Sequence, residues 1–416
     1  MTIAIARPSS MGIMKTALLW LAGRALRIVP EGILGRLLPG SLRFTASDVP
    51  KPPSVRQAAV RLYVGPVNWA GQGARWARAA EENLPDVAAV NSVYRMGADF
   101  SHPADNVVPV GVYVASRRWQ RAQWAAVRDG FSHVLVEAER QPFGAVLDES
   151  VASQVERMTR HGLAVAMLCH GSDIRSPSRH AAANPDSPFR AGLWSQTPKL
   201  ERDTRRNRGL LRELALPVFV STPDLLLDVP EARWLPVVVE VERWASPAGP
   251  LEREIPIVAH APSKGVVKGS DLVDPVLRAL EAEGLISYRR VQGVPVEEMY
   301  AVYRDADVVL DQFRLGDYGV AAVEAMAAGR VVVAHVNSSV RDLVRDTTGL
   351  ELPIVEATAH DLDAVLRGIL SERTVYRDRA AAGVVFAAEV HDGRRSARVL
   401  APFLTPLSST GDRAHD

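Results

Sequence analysis

Lys268 is the side chain of this sequence with the clearest chemical meaning. It lies near the end of the basic stretch 260–269, which follows the apolar run 255–259 and precedes a helical pattern. A strand, a basic turn and a helix in this order place an ammonium beside the free N–H groups of a helix N-terminus, and together these can neutralise a phosphate. A solvated surface lysine is the alternative, but His260 and Ser263 in the same stretch favour a phosphate site.

A second segment, residues 316–329, carries one carboxylate, Glu324, on a short helix of small apolar residues. A carboxylate on such a face needs a partner. The hydroxyl pair of a ribose is one candidate, and an internal salt bridge is the alternative. Tyr318 and Gly319 precede this helix and allow close backbone approach, so the N–H groups of Gly319 and Val320 can receive a phosphate.

His170 begins the segment His170-Gly-Ser-Asp-Ile-Arg175, which follows a buried-strand pattern at 163–168. At the end of a strand, an imidazole can act as an acid or base, or can hydrogen-bond a sugar hydroxyl. Arg175 is then a nearby anion contact. A satisfied core histidine fits the same pattern.

The pattern Gly71-Gln-Gly73 before a predicted helix resembles a phosphate loop. It lacks both the Gly-x-Gly-x-x-Gly spacing and the Gly-Lys-Ser/Thr ending. This excludes a dinucleotide-binding fingerprint and a Walker-type loop, and leaves a loop that touches a ligand in another way.

Carboxylates and cysteine give no sign of a metal. Glu137 and Glu139 end a predicted strand, where a salt bridge to Arg140 or to a basic helix is the expected role, and no Asp-x-Asp ends a strand. The single cysteine, Cys169, rules out an internal disulfide and a cysteine-based zinc site. We therefore expect no metal, no cofactor and a reducing, cytoplasmic compartment.

Length and charge set the broad class. The chain has 416 residues, more than one hydrophobic core usually supports, so we expect two domains. Its 49 lysines and arginines against 48 acidic residues leave no overall field suited to nucleic acid. Any anion site must be local.

Apolar runs alternate with helical patterns along most of the chain, which indicates parallel sheets covered on both faces. The predicted strands are 62–64, 87–93, 111–115, 133–137, 163–168, 218–220, 235–239, 255–259, 285–291, 308–310 and 331–334. The pattern breaks at 242–254, where Pro and Gly cluster. The predicted class is α/β, with two Rossmann-like domains facing a cleft at the carboxyl ends of their strands. The predicted divisions are 1–57, 58–245, 246–385, 386–405 and 406–416, the last as a disordered tail.

The N-terminal segment is apolar but short of a bilayer span at residues 16–23, and it continues with arginines among leucines. An interrupted amphipathic segment of this kind predicts a peripheral membrane contact. A helix packed on the surface of the first domain is the alternative.

With these residues in place, the chain resembles the donor half of GT-B glycosyltransferases, and within them the retaining, family-4-like group. The likeness rests on Lys268-Gly269, on Asp311-Gln312 after strand 308–310, and on Glu324-Ala-Met-Ala-Ala-Gly329. The first half is similar at 65–73 and 170–175, and the whole likeness covers about residues 60–405. It implies a GT-B fold with the donor on the second domain, the acceptor on the first, and a C-terminal helix, 387–403, that crosses back.

The resemblance also implies roles for single residues. Lys268 would hold the donor phosphates, Glu324 the ribose, and His170 would lie beside the transferred sugar; these three form the predicted catalytic set. The predicted donor site comprises His260, Ser263, Lys264, Gly269, Val294, Asp311, Gln312, Asp317, Tyr318, Gly319 and Val320. The predicted acceptor site comprises Asn68, Gly71, Gln72, Gly73, Asp173 and Arg175.

The chain departs from the family pattern at two positions. Gly316 stands where the family has the first glutamate of its Glu-x7-Glu pattern, and Ser263 stands where it has an arginine. Asp317, Lys264 or Asp311 are the candidates to replace those contacts.

The expected function is transfer of a sugar from a nucleoside diphosphate sugar to an acceptor hydroxyl, with retention, in the synthesis of a glycan, glycolipid, polysaccharide or other glycoconjugate. Two alternatives keep the architecture. One is a sugar-nucleotide epimerase or hydrolase, and the other is a catalytically inactive scaffold that binds the nucleotide sugar.

Overall fold

Two fully parallel β-sheets form the frame of the protein in the computed structural model, which describes residues 29–95, 102–144, 150–262 and 265–407. The first sheet has the order β3-β2-β1-β4-β5-β6-β7, and the second β12-β11-β10-β8-β9. Their inner strands are apolar runs buried on both faces, as parallel sheets covered by helices require. The predicted α/β class with two parallel sheets is confirmed.

The strands of the first sheet are β1 Val60–Gly65, β2 Val87–Arg95, β3 Asn106–Pro109, β4 His133–Glu137, β5 Ala164–Cys169, β6 Val218–Val220 and β7 Arg233–Trp234. Those of the second are β8 Ile257–His260, β9 Ser287–Arg290, β10 Val308–Leu310, β11 Val331–Ala334 and β12 Val355–Glu356. Within the second sheet, Leu310 aligns with both His260 and Val333. The carboxyl ends of these strands therefore form one edge, the usual place for a ligand.

The helices of the first half are α1 Glu31–Leu37, α2 Gln72–Asn83, α3 Val110–Ala115, α4 Arg117–Gly130, α5 Val151–Arg160, α6 Pro177–Ala183, α7 Thr197–Leu214 and α8 Val241–Trp244. Those of the second half are α9 Gly265–Lys268, α10 Ser270–Ala282, α11 Val296–Asp305, α12 Val320–Ala327, α13 Ser338–Thr348, α14 Leu362–Ser371, α15 Arg373–Val390 and α16 Arg394–Leu400.

The strand predicted at 111–115 is wrong, because these residues belong to helix α3. Most of α3 is buried, so its apolar run shows neither the helical nor the strand period that a half-exposed element shows. The strand that pairs with β2 is instead β3, four residues long and directly before α3.

The strand predicted at 235–239 is also absent, since only Arg233 and Trp234 join the sheet. The backbone N–H of Val238 donates to Gln72 Oε1 at 2.7 Å, and that of Val239 donates to the carbonyl of His391 at 2.8 Å. Both donors are therefore used by other parts of the chain, which a local apolar pattern does not reveal.

The chain connects the two sheets twice. It leaves the first sheet through α8 and comes back at the end of α15, where the ring of His391 donates through Nδ1 to the carbonyl of Val237 at 2.7 Å. In α16, the hydroxyl of Ser396 donates to the carbonyl of Pro236 at 2.7 Å. The last helices thus pack on both halves.

The described part of the N-terminal segment is α1. Leu34 packs into a small cluster with Val112 and Tyr113, while 53% of Ile33 and 73% of Leu37 are exposed. Residues 1–28, which carry most of the predicted membrane contact, lie outside the described residues. In the described ranges, no helix is both long and apolar enough to cross a bilayer.

Candidate functional site

The carboxyl edge of the second sheet faces the first domain, and we call the space between them the cleft and its two sides the walls. Arg75 on α2 and Glu324 on α12 approach each other across it, with 3.9 Å between Nη1 and Oε1. The ring of His180 on α6 donates through Nε2 to the carbonyl of Leu315 at 2.9 Å. The two walls are therefore in direct polar contact.

Lys268 and Asp311 form a buried ion pair in the wall of the second domain. Lys268 ends α9 with 13% of its side chain exposed, and Asp311 directly follows β10. The other carboxylate oxygen of Asp311 accepts the N–H of Gly319 at 3.4 Å. The sequence predicts that Lys268 and the N-terminus of α12 bind a phosphate. In the structure both bond to the carboxylate of Asp311 instead.

Glu324 points from α12 into the cleft with 14% of its side chain exposed. Burial raises its pKa to about 7, while Arg75 acts in the opposite direction and the carboxylate of Asp311 adds to the rise. Near neutral pH, the group therefore changes charge within the site. A bound diol would find both a proton acceptor and a nearby cation here.

His260 is held on both sides of its ring at the end of β8. Nδ1 donates to the carbonyl of Leu310 at 3.1 Å, and Nε2 accepts the hydroxyl of Ser270 at 2.9 Å. Burial lowers the pKa of His260 to about 4, so the ring is neutral. It supports the turn into α10, which Gly269 enters with a φ of 76°.

The remaining donor-site residues lie in or near the same wall. The amide of Gln312 donates to the carbonyl of Asp317 at 2.6 Å, and the hydroxyl of buried Tyr318 bonds Nε2 of His391 at 3.3 Å. Val294 is half-buried just before α11, and Val320 is the first residue of α12. Ser263 and Lys264 lie outside the described residues.

Asp317 faces the first domain rather than the donor wall. Its carboxylate is 3.7 Å from Arg175, whose guanidinium makes two hydrogen bonds to Asp224 at 2.6 and 3.0 Å. Burial, and next the charge of Asp224, raise the pKa of Asp317 well above its usual range. Although burial opposes it, Arg175 lowers the pKa of Asp224 to about 2. The structure thus brings a predicted donor residue and a predicted acceptor residue, Arg175, together in one ion cluster between the domains.

Gly316, at the position of the missing family glutamate, has a left-handed φ of 64°. A Cβ atom there would lie 2.2 Å from Nδ2 of Asn337. The amide of Asn337 therefore fills the space in which a side chain at 316 would begin, and a glutamate does not fit this backbone.

His170 directly follows β5 at the carboxyl ends of the strands of the first sheet, where its Nε2 is 3.0 Å from Oε1 of Glu137. Its ring is flanked by two indoles, with ring centres 5.0 Å away for Trp69 and 5.6 Å away for Trp76. Burial raises the pKa of Glu137, and the hydrogen bond to His170 opposes the rise. The expected salt bridge of Glu137 or Glu139 to Arg140 or to a basic helix does not form among the described residues, because the ends of β4 and β5 bring Glu137 to the histidine instead.

Hydrogen bonds from its own side chains hold the predicted acceptor loop, residues 68–73, in place. Gln72 donates to the carbonyl of Val238 at 3.1 Å, and Asn68 Oδ1 accepts the N–H of Ala74 at 3.1 Å. Gly71 has a φ of 73°. A Cβ at Gly73 would lie 2.6 Å from Asn91 and 3.0 Å from Glu137. The two glycines therefore shape the turn and let Glu137 approach the helix.

Asp173 closes the turn after His170 by accepting its N–H at 2.8 Å. Asp173 also belongs, with Glu139 and Cys169, to a group of buried side chains whose ligand atoms lie within 4.8 Å of one another. The thiol of Cys169 donates to Glu139 at 3.1 Å. Burial raises the pKa of Glu139 and of Cys169 well above their usual values, which favours the protonated form of each.

Trp69 and the pairing of Glu137 with His170 are not among the predicted site features. A tryptophan directly after Asn68 in a turn at a strand end was the available signal for the first. No local pattern signals the second, because Glu137 and His170 come from different strands.

No family model and no curated protein match this sequence. Solved structures do match in shape. Sucrose-phosphate synthase from Thermosynechococcus elongatus has a TM-score of 0.54 and 12% identity, over 83% of this chain and 98% of that one. HepE from Anabaena in complex with UDP and glucose has a TM-score of 0.53 and 12% identity, over 83% and 99%. The catalytic domain of starch synthase IV from Arabidopsis thaliana, bound to ADP and acarbose, has a TM-score of 0.50 and 10% identity, over 84% and 100%.

These similarities extend over both sheets of this chain and nearly the whole length of each compared protein. The chain has the GT-B fold of glycosyltransferases, as its sequence resemblance predicts. Identities this low show the fold alone.

Proposed function

We propose that this protein is a glycosyltransferase that moves a sugar from a nucleoside diphosphate sugar to an acceptor hydroxyl, with retention and without a metal. One observation carries the proposal: in a GT-B fold, Lys268, the Gly319 N–H and Glu324 lie at the carboxyl ends of the second sheet, where Glu324 approaches Arg75 of the first domain. HepE with UDP and glucose, and starch synthase IV with ADP, have the same fold. These complexes support a nucleotide-sugar donor.

The donor wall suits a departing diphosphate. As the bond between the anomeric carbon and the phosphate oxygen breaks, negative charge grows on that oxygen. Lys268 and the N-terminus of α12 can stabilise this charge from fixed positions, without reorganisation at the moment of reaction. Glu324 would hold the ribose hydroxyls, with Arg75 beside it.

The transfer itself balances without an added reagent. The acceptor oxygen forms the new bond to the anomeric carbon on the same face, and its proton passes to the departing phosphate oxygen. His170, oriented by Glu137, would bond the transferred sugar and hold it against this face. The resemblance to the retaining group supports the stereochemistry.

The first test measures release of UDP, GDP or TDP from a panel of nucleotide sugars, with and without a lysate fraction that supplies acceptors. We expect release that requires one donor and the acceptor fraction. Release without acceptor would favour an epimerase or hydrolase, and binding without any release would favour a scaffold.

Lys268→Ala should lower turnover strongly without unfolding the protein. Lys199→Ala is a matched control, because Lys199 is 61% exposed on α7 and pairs only with Asp203 among the described residues. Equal turnover in the two variants would remove Lys268 from the mechanism.

A further inference from the structure

Three side chains, Trp69, Tyr94 and Arg140, meet at the carboxyl ends of neighbouring strands in the first sheet. Tyr94 is in the last part of β2, Trp69 follows β1, and Arg140 follows β4. The guanidinium carbon of Arg140 is 5.9 Å from the ring centre of Trp69 and 6.0 Å from that of Tyr94. We call these three residues the aromatic cup.

The aromatic cup lies beside His170. The indole of Trp69 meets the imidazole nearly edge-on, with 5.0 Å between ring centres and 70° between planes, and 39% of Trp69 is exposed. Burying a tryptophan removes a large apolar area from water, so an exposed indole beside a polar site is available to a ligand. A molecule on this ring would lie next to the proposed position of the transferred sugar.

The backbone at both turns is strained. Ala70 has a φ of 51°, and Ala138 and Glu139 have φ values of 56° and 48°. These are three of the six non-glycine residues with positive φ in the described part of the chain. Ala70 directly follows Trp69, and Ala138 and Glu139 directly precede Arg140. Such strain persists where the surrounding structure holds it, often at ligand sites.

Arg140 is exposed, and it forms no ion pair with a carboxylate of the residues that the structure describes. Arg175 and Arg179, in contrast, each make two hydrogen bonds to an aspartate. A separation of about 6 Å from two rings gives only a weak cation–π attraction. Within the described part of the chain, its charged hydrogen-bond donors are therefore available to a carboxylate or phosphate.

We propose that the aromatic cup binds the acceptor, and that the acceptor is a saccharide carrying an anionic group. The sugar ring stacks on Trp69, and Arg140 bonds the phosphate or carboxylate. This inference rests on the proposed transferase function and adds the chemical class of its acceptor. The exposed indole accounts for the sugar ring of this acceptor, and the guanidinium, which has no ion pair among the described residues, accounts for its anionic group.

The test is calorimetric titration of the whole protein with matched sugars: hexoses of gluco, galacto and manno configuration, their 6-phosphates and their uronates. Inorganic phosphate serves as the probe for an anion alone. The proteins are wild type, Trp69→Ala, Arg140→Ala, Arg140→Lys and Arg379→Ala. The last is a control, because Arg379 is exposed on α15, which packs with the second domain.

We expect at least one anionic sugar to bind wild type about tenfold more tightly than its neutral parent. Arg140→Ala should remove that preference, Arg140→Lys should retain part of it, and Trp69→Ala should weaken neutral and anionic sugars alike. Arg379→Ala should behave as wild type. Preference for the 6-phosphates identifies a phosphorylated acceptor, and preference for the uronates identifies a carboxylated one.

The proposal is overturned if neutral sugars bind as well as anionic ones, if Arg140→Ala keeps the preference, or if no sugar binds. Binding of inorganic phosphate as tightly as the sugar phosphates would also overturn it, since Trp69 would then contribute nothing. Thermal melting of each variant separates loss of binding from loss of folding. These titrations need no donor, so absence of nucleotide release in the separate donor panel would remove the transferase proposal without deciding the sugar preference.

Discussion

At the scale of single residues, Asp311 is the residue that connects the predicted phosphate-binding groups of the donor wall. Its carboxylate holds both the ammonium of Lys268 and the N–H of Gly319, the two groups that a diphosphate would need. A bound diphosphate and an ionised Asp311 would lie within a few ångströms of each other, where like charges repel strongly. If the proposed nucleotide binds here, it would have to displace or neutralise this carboxylate.

Asp311→Asn should bind nucleoside diphosphates about tenfold more tightly than wild type, equal to about 1.4 kcal/mol. The amide removes the repulsion and releases Lys268 for the phosphates. Titration calorimetry with UDP, GDP and TDP measures this change. Asp363→Asn, on the exposed surface of α14, is the control and should have no effect. Weaker binding by Asp311→Asn would mean that the carboxylate chiefly positions Lys268.

Glu324 should make nucleotide binding depend on pH. Because burial raises the pKa of Glu324 to about 7, the ionised form that accepts two hydroxyl hydrogens is gained as pH rises through neutrality. We expect affinity for a ribonucleoside diphosphate to increase from about pH 6 to about pH 8, and Glu324→Gln to lose this increase. The 2′-deoxy form of the same nucleotide is the control. An equal pH dependence for both nucleotides would contradict the ribose contact.

At the scale of elements, the segment between β10 and α12 connects the two domains. It contributes Leu315 to the hydrogen bond with His180 and Asp317 to the cluster with Arg175 and Asp224. The left-handed Gly316 between them leaves room for Asn337. One short segment thus links the donor wall to the first domain.

Asp317→Asn should raise the melting temperature at neutral pH. The pKa of Asp317 is raised by burial and by Asp224, so its contribution to stability is full below its ordinary pKa of 3.8 and is lost as pH rises through the folded value. The neutral amide avoids this loss, and the gain should be larger at alkaline pH. Melting curves across pH measure it. A variant less stable than wild type at every pH would show that the carboxylate is ionised and needed.

Arg175→Ala should destabilise the protein by about 3 kcal/mol, because it leaves Asp224 charged and buried without its partner. Arg345→Ala removes an exposed pair with Asp342 and should change stability far less than Arg175→Ala does. Denaturant unfolding compares the two. Similar losses would contradict the structural role of the cluster.

Sequence patterns predicted the elements where burial and period agree. The bounds of β10 and β11 follow directly from short apolar runs between polar turns. The fully apolar sequence of α3 has neither the helical nor the strand period of hydrophobicity. In the segment after β7, backbone N–H groups bond to Gln72 and His391 rather than to a neighbouring strand. The polar contacts of the site could not be predicted from local sequence patterns. Lys268 and Asp311 are 43 residues apart, and only the alignment of β8 with β10 brings them together.

At the scale of the whole molecule, three buried neutral histidines connect distant parts of the chain. His180 joins α6 to the segment after β10, His260 joins β8 to α10, and His391 joins α15 to the end of the first sheet. Burial lowers the pKa of each to about 4. Each ring uses both nitrogens in hydrogen bonds that protonation would disturb.

The protein should therefore lose stability in mild acid. For these histidines the contribution is full above their ordinary pKa of 6.5 and is lost as pH falls towards about 4. The loss per histidine approaches about 1.4 kcal/mol per pH unit in this window. Melting temperature against pH measures the decline, and His391→Asn should make it shallower. A melting temperature that stays level between these values would contradict neutral burial of the rings.

The two connections between the sheets meet at one place, where the N–H of Val239 bonds the carbonyl of His391. A rigid rotation of one sheet against the other that keeps this hydrogen bond would leave the residues near it almost still. Tyr318, whose hydroxyl bonds His391 at 3.3 Å, lies beside this bond. Such a rotation would therefore displace Tyr318 least and the residues farthest from the bond most.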